Sequence, residues 1–236
     1  WAAGPLGYSD GRRRTAPAKF PPKVRFSVRN VTDRVRNPFG MEPDCELFVP
    51  GYGDANADFH VVGDHPGVHG GAETGVPFTG TPEAERLQAA LREAGLLHTV
   101  GDEPEVDRTF LSYLNMCVPD GEVTAAEYAD MERFFDAELR AIAAHVLLPV
   151  GERATRHVIQ EYTARAHRTE IDMDHLHGRE LLGSGWLVLP IADPAEWDDD
   201  DAERLVESLV ELQSTDFRRE SDLGRFLPGG ESYHVR

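Results

Sequence analysis

Lysine is almost missing from this chain. Of 24 cationic side chains only Lys19 and Lys23 are not arginine, against 42 carboxylates and a formal net charge of −18. Acid excess with so little lysine points to adaptation to a salt-rich cytoplasm, where screening over about 3 Å at 1 M salt removes much of the repulsion between carboxylates. By plain charge logic such a chain is a poor partner for nucleic acid. Salt weakens that argument along with phosphate attraction itself. A DNA face then has to be a local patch, or rely on backbone N–H groups, hydroxyls and stacking. Cysteine is as scarce: Cys45 and Cys117 alone. That excludes a disulfide framework and leaves one structural pair, two buried thiols or a vestigial metal site. No run approaches 18 apolar residues, which argues against a membrane span, and no secretory h-region is visible near the start. What remains is 236 residues, 40% hydrophobic, enough for one well-packed domain expected in the cytoplasm.

Residues 1–25, with Arg12, Arg13, Arg14, Lys19 and Lys23 among Gly, Ala and Pro, are expected as a disordered extension or a basic arm for a polyanion. Four apolar runs then alternate with helical patterns. Phe59 to Val62 is too short for a helix and is bounded by turn residues. Strands are predicted again at 108–115, 145–151 and 185–191. Between them, Pro82 to Ala94 has Leu87, Ala90, Leu91 and Ala94 at helical spacing before Gly95. Thr124 to Ala144 opens on Thr124-Ala-Ala-Glu127, a capping-box spacing. Further helices are predicted from Glu152 to about Tyr162 and from Asp198 to Leu212, the latter with acids where the helix dipole favours them. Residues 163–180 read as a polar excursion. The tail, 214–236, is expected to pack back through Phe217, Leu223 and Phe226. Strands alternating with helices predict an α/β domain over 26–213, a three-layer α/β/α sandwich on a four-stranded parallel sheet.

After Val62 and Gly63 comes a loop over 64–80 with five glycines, two prolines, two histidines, two carboxylates and Phe78. In an open α/β sheet the loop leaving the carboxyl end of a strand is where ligands bind, and glycine lets a backbone approach one closely. Plain connectors usually run only about 2–6 residues. Gly63-Asp64-His65-Pro66-Gly67, then Gly75-Val76-Pro77-Phe78-Thr79-Gly80, resembles the first motif of the uracil-DNA glycosylase superfamily. The likeness is to the iron–sulfur type of thermophiles and archaea, which reads Gly-Glu-Ala-Pro-Gly and then Gly-x-Pro-Phe-Val-Gly, with the second half one residue nearer. Cys45-Glu-Leu-Phe-Val-Pro-Gly-Tyr-Gly is similar to the segment before that motif. The resemblance covers about residues 40–213.

The resemblance implies a glycosylase that flips a base out of DNA and attacks the sugar C1′ with water. Asp64 stands where an acid or amide positions that water, beside an oxocarbenium-like transition state. Phe78 matches the aromatic that stacks on the flipped base, and Gly63, Pro66 and Gly67 complete its pocket. Asn115 matches the amide that reads the base edge with one donor and one acceptor; another register puts that position at Tyr113. Relatives place a histidine after the fourth strand to donate to the base anion. This chain has Pro190-Ile-Ala-Asp193-Pro194-Ala195, and an ionised carboxylate cannot donate. Either Asp193 is protonated, or another donor such as His65 substitutes, or the substrate differs, or activity is lost. Four cysteines hold a cluster in the iron–sulfur relatives. Cys45 and Cys117 match two, while Glu42 and Met131 fall near the others, so no cluster is expected.

A metal site built from His65, His69, Asp172, Asp174, His175 and His177 is the competing reading, although its spacing fits no metal motif. Asp198 to Asp201 reads as a helix start. The leading expectation is a monomeric DNA glycosylase acting on uracil or another damaged base in DNA repair, without cofactor or membrane partner. The alternatives are a fold relative that binds nucleic acid or nucleotide without cleaving it, and a metal-dependent hydrolase.

Overall fold

The computed structural model describes Trp1 and residues 34–218 apart from 164–169, 184 and 199. The expected extension over 1–25, Trp1 aside, and the tail residues Leu223 and Phe226 lie outside the described residues. In chain order the elements are β1 (Tyr52–Gly53), β2 (Phe59–Gly63), α1 (Pro66–His69), α2 (Pro82–Glu93), β3 (Thr109–Tyr113), α3 (Ala125–Ile142), β4 (Val146–Pro149), α4 (Gly151–Tyr162), α5 (Met173–Leu176), β5 (Leu181–Leu182), β6 (Leu187–Val188) and α6 (Asp201–Ser214). They form one sheet of order β1-β3-β2-β4-β6-β5. The four predicted strands are its parallel centre, β3-β2-β4-β6. Two-residue strands add an antiparallel edge on each side, β1 on β3 and β5 on β6, so the sheet is mixed rather than four-stranded and all-parallel. The fourth strand is shorter than its apolar run: only Leu187 and Val188 join the ladder, with a further parallel bridge from Val150 to Ile191.

Period-2 alternation divides the sheet into two faces. Phe59, Val61, Leu111, Tyr113, Leu148 and Leu189 pack with Leu87 and Leu91 of α2 and Leu205, Leu209 and Leu212 of α6. Val62, Leu147 and Val188 pack on the other side with Phe135 and Leu139 of α3 and Ala154, Val158 and Ile159 of α4. Local signals start the helices. The Thr81 side chain accepts from Ala84 N–H with Pro82 in the first turn. Thr124 and Glu127 form the predicted capping box. Asp198 Oδ1 accepts from the N–H of Asp200 and Asp201, while Asp201 Oδ2 accepts from Asp198 N–H. The acidic run is thus a reciprocal cap. Ala143, in the left-handed region at φ 52°, ends α3 before Ala144. At the carboxyl end the Phe217 ring packs 5.3 Å from Phe59. Arg218 and Arg108 both bind the Asp58 carboxylate. Burial pushes that carboxyl up, but the two arginines outweigh it and hold it below its usual range.

Under α3 lies a polar group the apolar pattern does not announce. His60 Nε2 sits 2.7 Å from Ser112 Oγ, and Glu138, fully buried, faces Ser112 and the Gly51 N–H. Burial lowers His60 to about 3, so the ring is neutral. It raises Glu138 to about 8, against which the Gly51 and Ser112 contacts act only in part. The folded protein therefore holds a proton that the unfolded chain releases above its ordinary value of 4.5. Stability contributed by protonated Glu138 is complete below that value and is lost as pH rises through about 8. Glu138→Gln is expected to resist denaturant better than wild type at pH 8, with the difference vanishing towards pH 4.5. Paired urea titrations at the two pH values check this. A difference independent of pH would contradict a buried neutral Glu138.

Candidate active site at the carboxyl edge of the sheet

The carboxyl ends of the four parallel strands open on one edge, and the loops over 64–80, 115–120 and 189–197 all leave from it. Gly63 ends β2 opposite Tyr113 of β3. A Cβ at Gly63 would lie 2.7 Å from the Tyr113 ring and 2.8 Å from His69 Nδ1, so only glycine fits that crossing. The Tyr113 hydroxyl accepts the Phe78 N–H at 2.8 Å and lies 2.8 Å from Gly70 O and 3.1 Å from His69 O, to either of which it donates. Both ends of the loop are thereby tied to one side chain of β3. Gly70, at φ 84°, would carry a Cβ 2.3 Å from Thr79 O, so the loop folds on itself as tightly as glycine allows.

Phe78 adopts the left-handed region at φ 57°, uncommon for a bulky side chain. Hydrogen bonds on both sides hold it there, its N–H to Tyr113 and its carbonyl from Gln88 Nε2. Strain of this kind concentrates at ligand sites. The Phe78 ring is 1% exposed, 5.2 Å from Tyr113 and 5.7 Å from His69.

Asp64 follows β2, and its parity sends the carboxylate to the opposite side, towards α3 and α4. There Tyr128 donates its hydroxyl to Oδ1, and Arg153 Nε lies 3.5 Å from Oδ2. The Arg153 guanidinium also sits 4.6 Å over the Tyr128 ring. Burial, then the bond to Asp64, pushes the Tyr128 phenol well above its usual range, so it stays a donor. The Asp64 backbone serves the rest of the edge: its N–H donates to His69 Nδ1 at 3.0 Å, and its carbonyl accepts from Asn115 N–H at 3.0 Å.

The remaining candidates fall around this pair. His65 caps α1, its Nδ1 accepting from Gly67 N–H. Burial lowers its pKa, partly countered by the neighbouring Asp64. Pro66 fills the first position of α1 and is buried, while Gly67, the second, is exposed. Asn115 is buried, and its Oδ1 accepts from Cys117 N–H at 2.9 Å. Asp193 accepts from Ala195 N–H through Oδ1, and its Oδ2 stands 3.8 Å from His69 Nε2. It is His69, not His65, that faces Asp193. The His69 and Ala195 contacts hold the Asp193 carboxyl below its usual range. His177 anchors the loop that carries Asp193. Its Nδ1 accepts from Ala192 N–H and its Nε2 donates to Asp201 O, each at 2.8 Å.

Sequence reasoning missed Tyr128 and Arg153, and considered His69 only as a metal ligand. For Arg153 a signal existed, since it lies in the first turn of the helix that leaves the same edge from β4. Tyr128 faces the site only through tertiary packing. The metal alternative finds no support in the geometry. His65, His69 and His177 each spend Nδ1 on a backbone N–H, and among the described residues no three His, Cys, Asp or Glu side chains group to hold an ion. No helix among them is long and apolar enough to cross a membrane. Cys45 and Cys117 are joined as a disulfide closing 72 residues of chain, with Met131 Sδ 3.7 Å from Cys117 Sγ. A disulfide, a thioether and the exposed Glu42 do not fit an iron–sulfur cluster, which takes thiolates. Beside the disulfide is an open depression of about 380 Å³ whose lining includes Asn115, Cys117 and Met131.

Comparisons with known proteins return one family. The family model of the uracil DNA glycosylase superfamily matches residues 50–204. A type-5 uracil-DNA glycosylase of Pyrobaculum aerophilum is 29% identical over 170 residues, 70% of this chain and 73% of that protein. One of Thermus thermophilus is 32% identical over 133 residues, 54% of this chain and 61% of the relative. One of Mycobacterium leprae is 30% identical over 117 residues, 47% and 51% of the two chains. The chain thus spans between about half and three quarters of the length of these relatives.

The crossing at Gly63 has a measurable consequence. Gly63→Ala is expected to cost about 1–3 kcal/mol of stability by overpacking Tyr113 and His69, read by denaturant unfolding. An unchanged midpoint would mean that β2 and β3 do not cross as tightly as described.

Proposed function

The chain belongs to the uracil DNA glycosylase superfamily, and from that premise we propose that it excises uracil from DNA. The supporting observation is the placement of Asp64 at the edge where the three loops meet, its carboxylate steadied by Tyr128 and Arg153. In this reading the bond between C1′ and the base nitrogen breaks with its electron pair leaving on the base. A water held by Asp64 adds its oxygen to C1′ and gives its proton to that carboxylate. Negative charge at Asp64 also favours the positive charge that builds on the sugar. Phe78 supplies the stacking face, worth roughly 1–3 kcal/mol per base in single-strand binders. Its burial in the free protein means that base entry has to part the loop over 74–80 from its neighbours. Asn115 reads the base edge. DNA is the partner, met through backbone N–H groups and stacking more than through net charge. No cluster takes part, since both cysteines are spent on the disulfide.

One observation favours a second reading, a relative that binds DNA without cleaving it. Asp193, its carboxyl held low, cannot donate to a base leaving as an anion.

Single-turnover release of uracil from oligonucleotides at high salt separates the two. The wild type is expected to cleave. Asp64→Asn is expected to lose roughly 10²–10⁴-fold in rate while keeping its affinity for an abasic product, because water positioning is what fails. Asp193→His, whose imidazole N–H donates where a carboxylate does not, tells which group the position needs: a rate equal to or above wild type marks a donor, and a fall marks the carboxylate itself. A silent wild type with an active Asp193→His favours the degenerate relative, and silence in all three rejects the glycosylase. The purified protein is expected to be colourless, and a brown preparation with about four irons per chain would overturn the reading of Cys45 and Cys117.

A further inference from the structure

His69 is used by neither the water nor the base in the scheme above, yet its side chain meets Asp64, Phe78, Tyr113 and Asp193 at the edge. Its ring is 5% exposed, stacked near Phe78 at 29° and near Tyr113 at 18°. The Asp64 N–H donates to Nδ1, and a backbone N–H has only a proton to offer. Nδ1 therefore carries none, and the ring proton sits on Nε2. That Nε2 has no hydrogen-bond partner among the described residues. It points instead at Asp193 Oδ2, 3.8 Å away, on a side chain 27% exposed at the site edge. A buried donor without a bond is costly, and this carboxylate is the acceptor beside it.

We propose that His69 is the positioning residue of Asp193: oriented by the Asp64 backbone, it presents Nε2–H to the carboxylate and so holds Asp193 as an ionised hydrogen-bond acceptor facing the incoming base. The assignment of a base to that face rests on the glycosylase reading; the His69–Asp193 pair itself does not. Uracil has an N–H between its two carbonyls, and an acceptor placed at that edge takes the N–H. This chain thereby reads with an acceptor where its relatives are expected to read with a donor. The direction in which the Asp193 carboxyl is displaced, with His69 the foremost cause, agrees with the geometry. The other charged and titratable groups around the pair are Asp64 and His65 from the loop, Arg86 of α2, Arg153 of α4 and Tyr113 of β3. Arg86 also donates to Pro194 O and so holds the Asp193 loop from its other side.

The test is isotope-edited NMR of the full chain at high salt, following the Asp193 carboxyl and the His69 ring, paired with single-turnover uracil release across the carboxylate pH range. In the wild type His69 is expected to carry its proton on Nε2, and Asp193 to titrate below the ordinary aspartate range. In His69→Ala the Asp193 titration is expected to move up, the acid limb of the rate profile to move with it, and the rate at neutral pH to fall roughly hundredfold, as misplaced groups do. His69→Gln, whose amide supplies both an acceptor and an N–H, is expected to restore both readouts in large part, and it stands in if His69→Ala fails to fold. An Asp193 titration unchanged in folded His69 variants overturns the pair. A titration that moves while the rate profile stays fixed overturns its role in reading the base. If the wild type releases no uracil, the glycosylase reading fails, and the NMR arm alone decides whether His69 sets Asp193.

Discussion

One buried phenol holds this edge together. Tyr113 accepts the Phe78 N–H and donates to the carbonyl of Gly70 or His69, so a long glycine-rich loop is closed at both ends against a strand. Glycines make such a loop entropically expensive to order, and each net hydrogen bond returns only about 0.5–1.5 kcal/mol. The closure succeeds because the phenol is fully buried between rings and meets no competing water. Burial drives its ionisation far above the usual tyrosine range, so it remains a donor at any pH the fold survives. Gly63 gives it room, and His69 and Phe78 pack on it. Remove that anchor, and the left-handed Phe78 and the placement of His69 lose their support.

Strand parity then divides the labour. Gly63 and Tyr113 face α2 and α6, whereas Asp64, one residue on, faces α3 and α4. The carboxylate and the aromatic cluster are therefore on opposite sides of the sheet edge, linked by the Asp64 N–H to His69 and the Asp64 carbonyl to Asn115. A shift of one residue would exchange the two sides. The buried bond between His60 and Ser112 keeps β2 and β3 in register, since both groups lose it if the strands slide.

Much of this was legible in the sequence, for identifiable reasons. The parallel strands showed because fully buried strands read as unbroken apolar runs between turn residues, and α2 and α3 showed because Thr81-Pro82 and Thr124-Ala-Ala-Glu127 announce their starts. β1 and β5 did not, for two-residue strands have no period to detect. α1 was hidden because its four residues lie among glycines. Gly185 to Ile191 reads as a full strand, but only two of its residues pair in the ladder, since the chain leaves the edge to form the Asp193 loop. Asp64, Phe78, Asn115 and Asp193 were found through spacing and resemblance, and the fold brings all four to one edge. Tyr128, Arg153 and the role of His69 depend on contacts between residues far apart in sequence, where no local pattern operates. The pairing of Cys45 with Cys117 was one of three outcomes that composition left open.

The central claim is that a flipped uracil enters between the loops over 64–80, 115–120 and 189–197. Hydrogen–deuterium exchange tests it most directly, comparing the full chain at high salt, free and with an oligonucleotide carrying a non-cleavable uracil nucleotide. Protection is expected in those three loops and the first turn of α4, and to be greater than with an undamaged strand. Protection on the outer faces of α2 and α6, or identical protection by the undamaged strand, would contradict the account.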